Sequence, residues 1–141
     1  MNDIQEILDE ALDKLSNEDF VASSELFRKV LKLDSDNFEA YKNLGLCEVN
    51  LDNTTEAINA FKKAHELDNS DATVLYYLAC CKARTGNKEE AVEIFNKVLE
   101  LRPDYLEVYK SLAMIYVEFA QIDSAIEIIK KLDNSVQTEL N

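Results

Sequence analysis

Glycine and proline are nearly missing: the 141-residue chain holds 2 Gly and 1 Pro. So little turn chemistry cannot punctuate the strands and hairpins of an all-β domain. Tryptophan is absent, His65 is the single histidine, and Cys47, Cys80 and Cys81 are the only cysteines. Three thiols cannot all pair, and a helical domain of this length folds without disulfides, so a reducing compartment and two buried apolar thiols are expected. No Cys or His cluster stands at a metal-ligand spacing, so neither a metal nor any other cofactor is expected. Basic charge is scarce as well, with 15 Lys and Arg against 28 Asp and Glu and a formal net charge of −13. Such a chain repels phosphate backbones and anionic lipid headgroups, which removes nucleic acid and membrane surfaces from the expected partners. No apolar stretch approaches the roughly 20 residues of a membrane span. The first residues, from Met1 and Asn2 to Glu6, are acidic where a leader is basic, so a cytoplasmic location is the expectation.

What is present is 47% apolar and 30% charged residues, suited to amphipathic helices, and a repeat. Shifting the chain by 34 residues aligns Phe27, Phe61, Phe95 and Ile129, and four places earlier Ser23, Ala57, Ala91 and Ala125. A second column of small residues is Ala11, Gly45, Ala79 and Ala113. The units run 4–37, 38–71, 72–105 and 106–139 within one domain, leaving 140–141 as a tail. Each reads as two helices with apolar positions at helical spacing, such as Leu75, Leu78, Ala79 and Lys82, then Ala91, Ile94, Phe95 and Val98. Gly86 is placed to stop a helix and Asn87 to cap the next, while Asp34–Asn37 and Asp68–Asp71 supply turns and N-caps. The small columns allow close approach of paired helices beside a large Phe.

This pattern resembles the tetratricopeptide repeat, whose signature places W-x2-L-G-x2-Y before A-x3-F and P. Tyr41, Leu44, Gly45, Ala57 and Phe61 carry it in the second unit, and Leu78, Ala79, Ala91, Phe95 and Pro103 in the third. Tyr109, Leu112, Ala113, Tyr116 and Ala125 carry it in the fourth. The resemblance implies an all-α, right-handed superhelical α-α solenoid of helix-turn-helix repeats. It also implies a non-enzymatic protein-interaction scaffold that holds a peptide or amphipathic helix of another protein in a concave groove lined by the first helices.

Carried over by register, the groove residues are Leu8, Lys42, Tyr76 and Lys110, then Leu12, Leu46, Cys80 and Met114. A third row is Leu15, Val49, Ala83 and Val117, flanked by Asn50 and Arg84, with Asn43 and Tyr77 at a further position. These rows are either an apolar binding stripe or side chains half-buried between neighbouring helices. The carboxylate clamp of chaperone-binding members finds no counterpart. Begun at the second unit it meets Lys42 but then Leu46, Tyr77, Glu107 and Ser111; begun at the first it meets Asn43 but Leu8, Leu12, Thr73 and Tyr77.

Unit by unit the charge is −5, −4, 0 and −3, with Asp3 completing the total of −13. The acidic first helix (Asp3, Glu6, Asp9, Glu10, Asp13) suits an apolar partner segment with a basic end lying over it. Glu10 and Lys14 are expected to face water, as an end unit requires. At the other end Ile122, Ile126, Ile129 and Leu132 form an apolar face that only a short tail follows. The tail folds back, the face pairs with another molecule to give a homo-oligomer, or the chain continues beyond Asn141, the last being favoured over a dimer. Two further functions stay open: a small acidic chaperone shielding an apolar client segment, and an oligomerisation module acting through that face. No catalytic residue is assigned. His65 lies where other units have Leu31, Leu99 and Asp133, and no phosphate loop can be built from Gly45 and Gly86.

Overall fold

Eight α-helices follow one another in the computed structural model, which describes residues 3–140 apart from the Glu139 side chain. Met1 and Asn2, where a leader was sought, and Asn141 of the expected tail lie outside the described residues. The helices are α1 (Asp3–Ser16), α2 (Phe20–Leu33), α3 (Phe38–Asn50), α4 (Thr54–Leu67), α5 (Ala72–Arg84), α6 (Lys88–Leu101), α7 (Leu106–Glu118) and α8 (Ile122–Leu140). Each packs chiefly against the helices before and after it in the chain, the arrangement of an α-α solenoid.

Within each pair the first helix ends the same way. Glu18, Asp52, Gly86 and Ala120 all adopt positive φ, at 60°, 60°, 90° and 57°. The next amide reaches back across the turn in every case: Asp19 N–H donates to Lys14 O at 2.9 Å, Asn53 to Glu48 at 2.8 Å, Asn87 to Lys82 at 2.9 Å and Gln121 to Tyr116 at 2.8 Å. This is the Schellman termination, which satisfies helix carbonyls that would otherwise be orphaned. Glycine alone marked that stop in the sequence, so Gly86 was legible and the three other left-handed residues were not. The tail expectation also changes: 134–140 neither fold back nor unravel but continue α8, which reaches 19 residues where α2, α4 and α6 each have 14.

Caps between pairs follow the polar turns. Asn37 Oδ1 accepts from Ala40 N–H at 3.0 Å and Asp71 Oδ1 from Val74 N–H at 2.9 Å. Within the pairs, Asp19 accepts from Ala22 N–H at 3.3 Å, whereas Asn53 and Asn87 occupy the N-caps of α4 and α6 without a side-chain cap bond. Tyr41 and Tyr109 pin the preceding turns by donating to Ser35 O at 3.1 Å and Pro103 O at 2.5 Å.

Two apolar clusters form the core, one spanning α1–α4 and the other α4–α8. Phe27, Phe61 and Phe95 are buried, and small residues at Ala11, Gly45 and Ala79 give them room. The approach is close at Gly45, where an added Cβ would stand 2.5 Å from Phe61 Cε1. Ser23, in the small column, turns its hydroxyl into a contact by donating to Ala11 O at 2.8 Å. The phenylalanine column does not continue into α8. Ile129 is 51% exposed and Ile128 is buried instead, because the large residue of this column packs toward a following helix pair and α8 has none among the described residues.

Candidate groove on the first helices

The inner row begins with a residue that cannot meet a ligand: Leu8 is buried in the core between α1 and its neighbours. Asn43 is buried too, donating to Glu39 O one turn back at 2.8 Å, so both leave the set of surface contacts. Lys42 is half-buried and committed, its Nζ 3.0 Å from Asp71 Oδ2 and 5.9 Å from the Phe38 ring centroid. Lys110 is exposed and makes no ion pair among the described residues.

Aromatic packing organises the middle of the groove. Tyr76 stacks on Tyr105 with centroids 4.9 Å apart and meets Tyr77 edge-on at 5.3 Å, while Tyr77 stacks on Phe61 at 5.8 Å. Both tyrosines stay half-buried with one edge accessible. Burial, with Cys80 beside it, raises the Tyr76 phenol well above its ordinary value, so it stays neutral and can donate. Tyr105 joins this cluster although it reads in sequence only as the residue after a polar turn. The signal that could have found it is its position directly before α7, opposite the tyrosine pair of α5.

Along the array exposure is high at both ends and lower in the middle. Leu12 is exposed, Leu46, Val49 and Cys80 are half-buried, and Met114 and Val117 are 66% and 56% exposed. Asn50 is exposed but spends its amide on Leu46 O at 2.8 Å. Arg84 is exposed and only loosely paired, 3.9 Å from Asp52. Glu118, on the flank, pairs with Lys88. Two hollows open here: one of about 180 Å³ between Val49, Tyr76, Tyr77, Cys80 and Arg84, and one of about 300 Å³ bounded by Cys80, Ala83, Arg84, Ser111, Met114 and Glu118. They share Cys80 and Arg84.

The chemistry available is recognition. Cys47 and Cys81 are buried and Cys80 half-buried, all as free thiols. Burial raises the pKa of each, that of Cys81 to about 11, so none is an activated nucleophile. His65 is half-buried on α4, and its Nδ1 has no hydrogen-bond partner among the described residues. Among the described residues, no three His, Cys, Asp or Glu side chains converge to hold a metal ion, and no helix is long and apolar enough to cross a membrane.

Residues 4–140 match the family described as the cytochrome c-type biogenesis protein H TPR domain. The chain belongs to this tetratricopeptide-repeat family. Solved structures of MamA share the fold. A crystal structure of MamA superposes with a TM-score of 0.95 at 23% identity, over 99% of this chain and 81% of that one. The MamA fragment 41-end from Desulfovibrio magneticus RS-1 gives 0.91 at 19% identity, over 96% and 77%. The MSR-1 MamA structure gives 0.87 at 21% identity, over 98% and 79%. No curated protein matches the sequence. Tetratricopeptide-repeat domains are scaffolds for protein–protein interaction, and the solenoid here is of that kind.

Proposed function

We propose that the chain is a non-enzymatic, cytoplasmic scaffold that holds an apolar peptide or amphipathic helix of a partner protein on the inner face of α3, α5 and α7. The observation that carries this reading is the pair Met114 and Val117, 66% and 56% exposed, which line one hollow with Ala113 and Glu118, Met114 also bounding the hollow at Cys80 and Arg84. Apolar side chains left this open, rimmed by polar groups, mark a contact surface. The tyrosine cluster adds rigid contact area at low entropic cost. At the α1 end Asp3, Glu6, Asp9, Glu10 and Asp13 are all exposed, which favours a basic end on the bound segment.

Panning a library of displayed peptides on the immobilised chain tests this. The expected selection is for apolar residues followed by Lys or Arg, with binding lost in the Tyr76→Ala, Met114→Glu double variant while the helical circular dichroism spectrum is kept. Peptides that still bind that variant with unchanged affinity would place the interaction elsewhere on the molecule.

A further inference from the structure

The five extra residues of α8 complete a seam. Ile122, Ile126, Ile129, Asp133, Val136 and Leu140 recur at alternating intervals of four and three, the pattern of a helix that pairs with another. Its apolar members are open, with Ile122 53%, Ile126 45%, Ile129 51%, Val136 36% and Leu140 78% exposed. Among the described residues none beyond Leu132 joins either core cluster. The last two turns of α8 therefore lack the tertiary packing from which most helical stability in proteins comes. Sequence reading found the first part of this face and missed Val136 and Leu140, which follow the apolar face it assigned.

The molecule's own opposite end is a poor cover. Between consecutive helix pairs Arg28 of α2 meets Glu48 of α3 at 2.5 Å, and Leu44 is buried nearby. In a head-to-tail stack of copies the repeat register would put Lys130 in the place of Arg28 and Lys14 in the place of Glu48. Glu10 would stand where Leu44 does, facing Ile129. Like charges and a buried carboxylate oppose that contact. A symmetric antiparallel contact avoids the like charges and closes at two copies; it does bring Asp133 into the seam, but with a lysine of the partner subunit beside it.

We propose that α8 pairs antiparallel with α8 of a second copy about a two-fold axis. In the register that uses the whole seam, Ile126 faces Val136 of the partner subunit and Ile122 faces Leu140 of the partner subunit. Asp133 then lies beside Lys130 of the partner subunit, and the symmetric pair repeats on the other side. Charge selects this orientation, because a parallel pairing sets Asp133 against Asp133 of the partner subunit. The surface is distinct from the groove on the first helices, so each can be tested without the other.

Sedimentation equilibrium on the full chain, from low to high micromolar, is expected to show the mass rising from 16.1 kDa toward twice that value. Ile126→Glu should hold the monomer mass with an unchanged helical spectrum. Lys130→Asp should weaken association about tenfold, and adding Asp133→Lys should restore it. Orientation is read by disulfide trapping in a Cys80→Ser background. Ile126→Cys should not cross-link to itself, since antiparallel copies hold these positions about 15 Å apart. Mixed with Val136→Cys, it should cross-link readily. A mass of one chain at every concentration overturns the proposal, and so does self-cross-linking of Ile126→Cys.

Discussion

At the residue scale, one backbone requirement recurs every 34 positions and is met by four different side chains. Glu18, Asp52, Gly86 and Ala120 all sit in the left-handed region that closes a Schellman turn. Only glycine reaches it without a steric penalty, which for other residues is about 1–2 kcal/mol. Ala120→Gly is therefore expected to stabilise the fold by about 0.5–1 kcal/mol, and Gly86→Ala to destabilise it by about 1 kcal/mol, both read as shifts of the urea midpoint. The small columns obey a spatial requirement instead. Ala57 is fully buried beside Phe61, so Ala57→Leu should overpack the site and cost about 1–3 kcal/mol by the same measurement. Thiols contribute a pH dependence. Burial lifts Cys81 from 9.0 to about 11, so above pH 9 the unfolded chain releases its proton first. Stability is then complete below pH 9 and falls as pH rises toward 11, with Cys47 and Cys80 acting in the same sense. Urea midpoints across that range should decline less steeply in Cys81→Ala than in the parent.

At the element scale, helices start by two devices that the sequence does not distinguish. Asn37 and Asp71 bond the third residue of the helix they precede, whereas Asn87 stands at the same kind of position and makes no such bond. Replacing Asn37 or Asp71 by Ala should cost about 1 kcal/mol each in chemical denaturation, and Asn87→Ala only a few tenths. The preceding turn does not decide the matter, because Asp19 follows the same Schellman closure as Asn87 and still accepts from Ala22 N–H at 3.3 Å. Helices α3 and α5 also carry candidate groove residues, so these two caps fix the ends of the elements that hold Lys42 and Tyr76.

At the scale of the whole molecule, a chain of neighbour-to-neighbour contacts need not open as one unit. The junction between α6 and α7 is the sparsest in the array. Native-state hydrogen exchange should find α7 and α8 exchanging through a smaller opening than α3–α6, most clearly in Ile126→Glu. Uniform protection across all eight helices would contradict this. The same pair carries the open Met114 and Val117 and the open α8 seam. The least anchored part of the solenoid therefore holds the two surfaces on which the binding and pairing proposals rest.

The spacing of small and aromatic residues was sufficient by itself for the repeat, the helix pairs and the all-α class. These depend on local periodicity and on side-chain volumes that any helical pairing must respect. Which apolar residues remain open was decided only by the tertiary structure. Leu8 and Met114 both stand in rows assigned to the groove, yet Leu8 is buried and Met114 open. Ile129 aligns with three buried phenylalanines and faces outward, while its neighbour Ile128 takes the core. Exposure depends on what lies beyond a helix, and in a stacked array that is set by the neighbouring pair rather than by the residue's own segment.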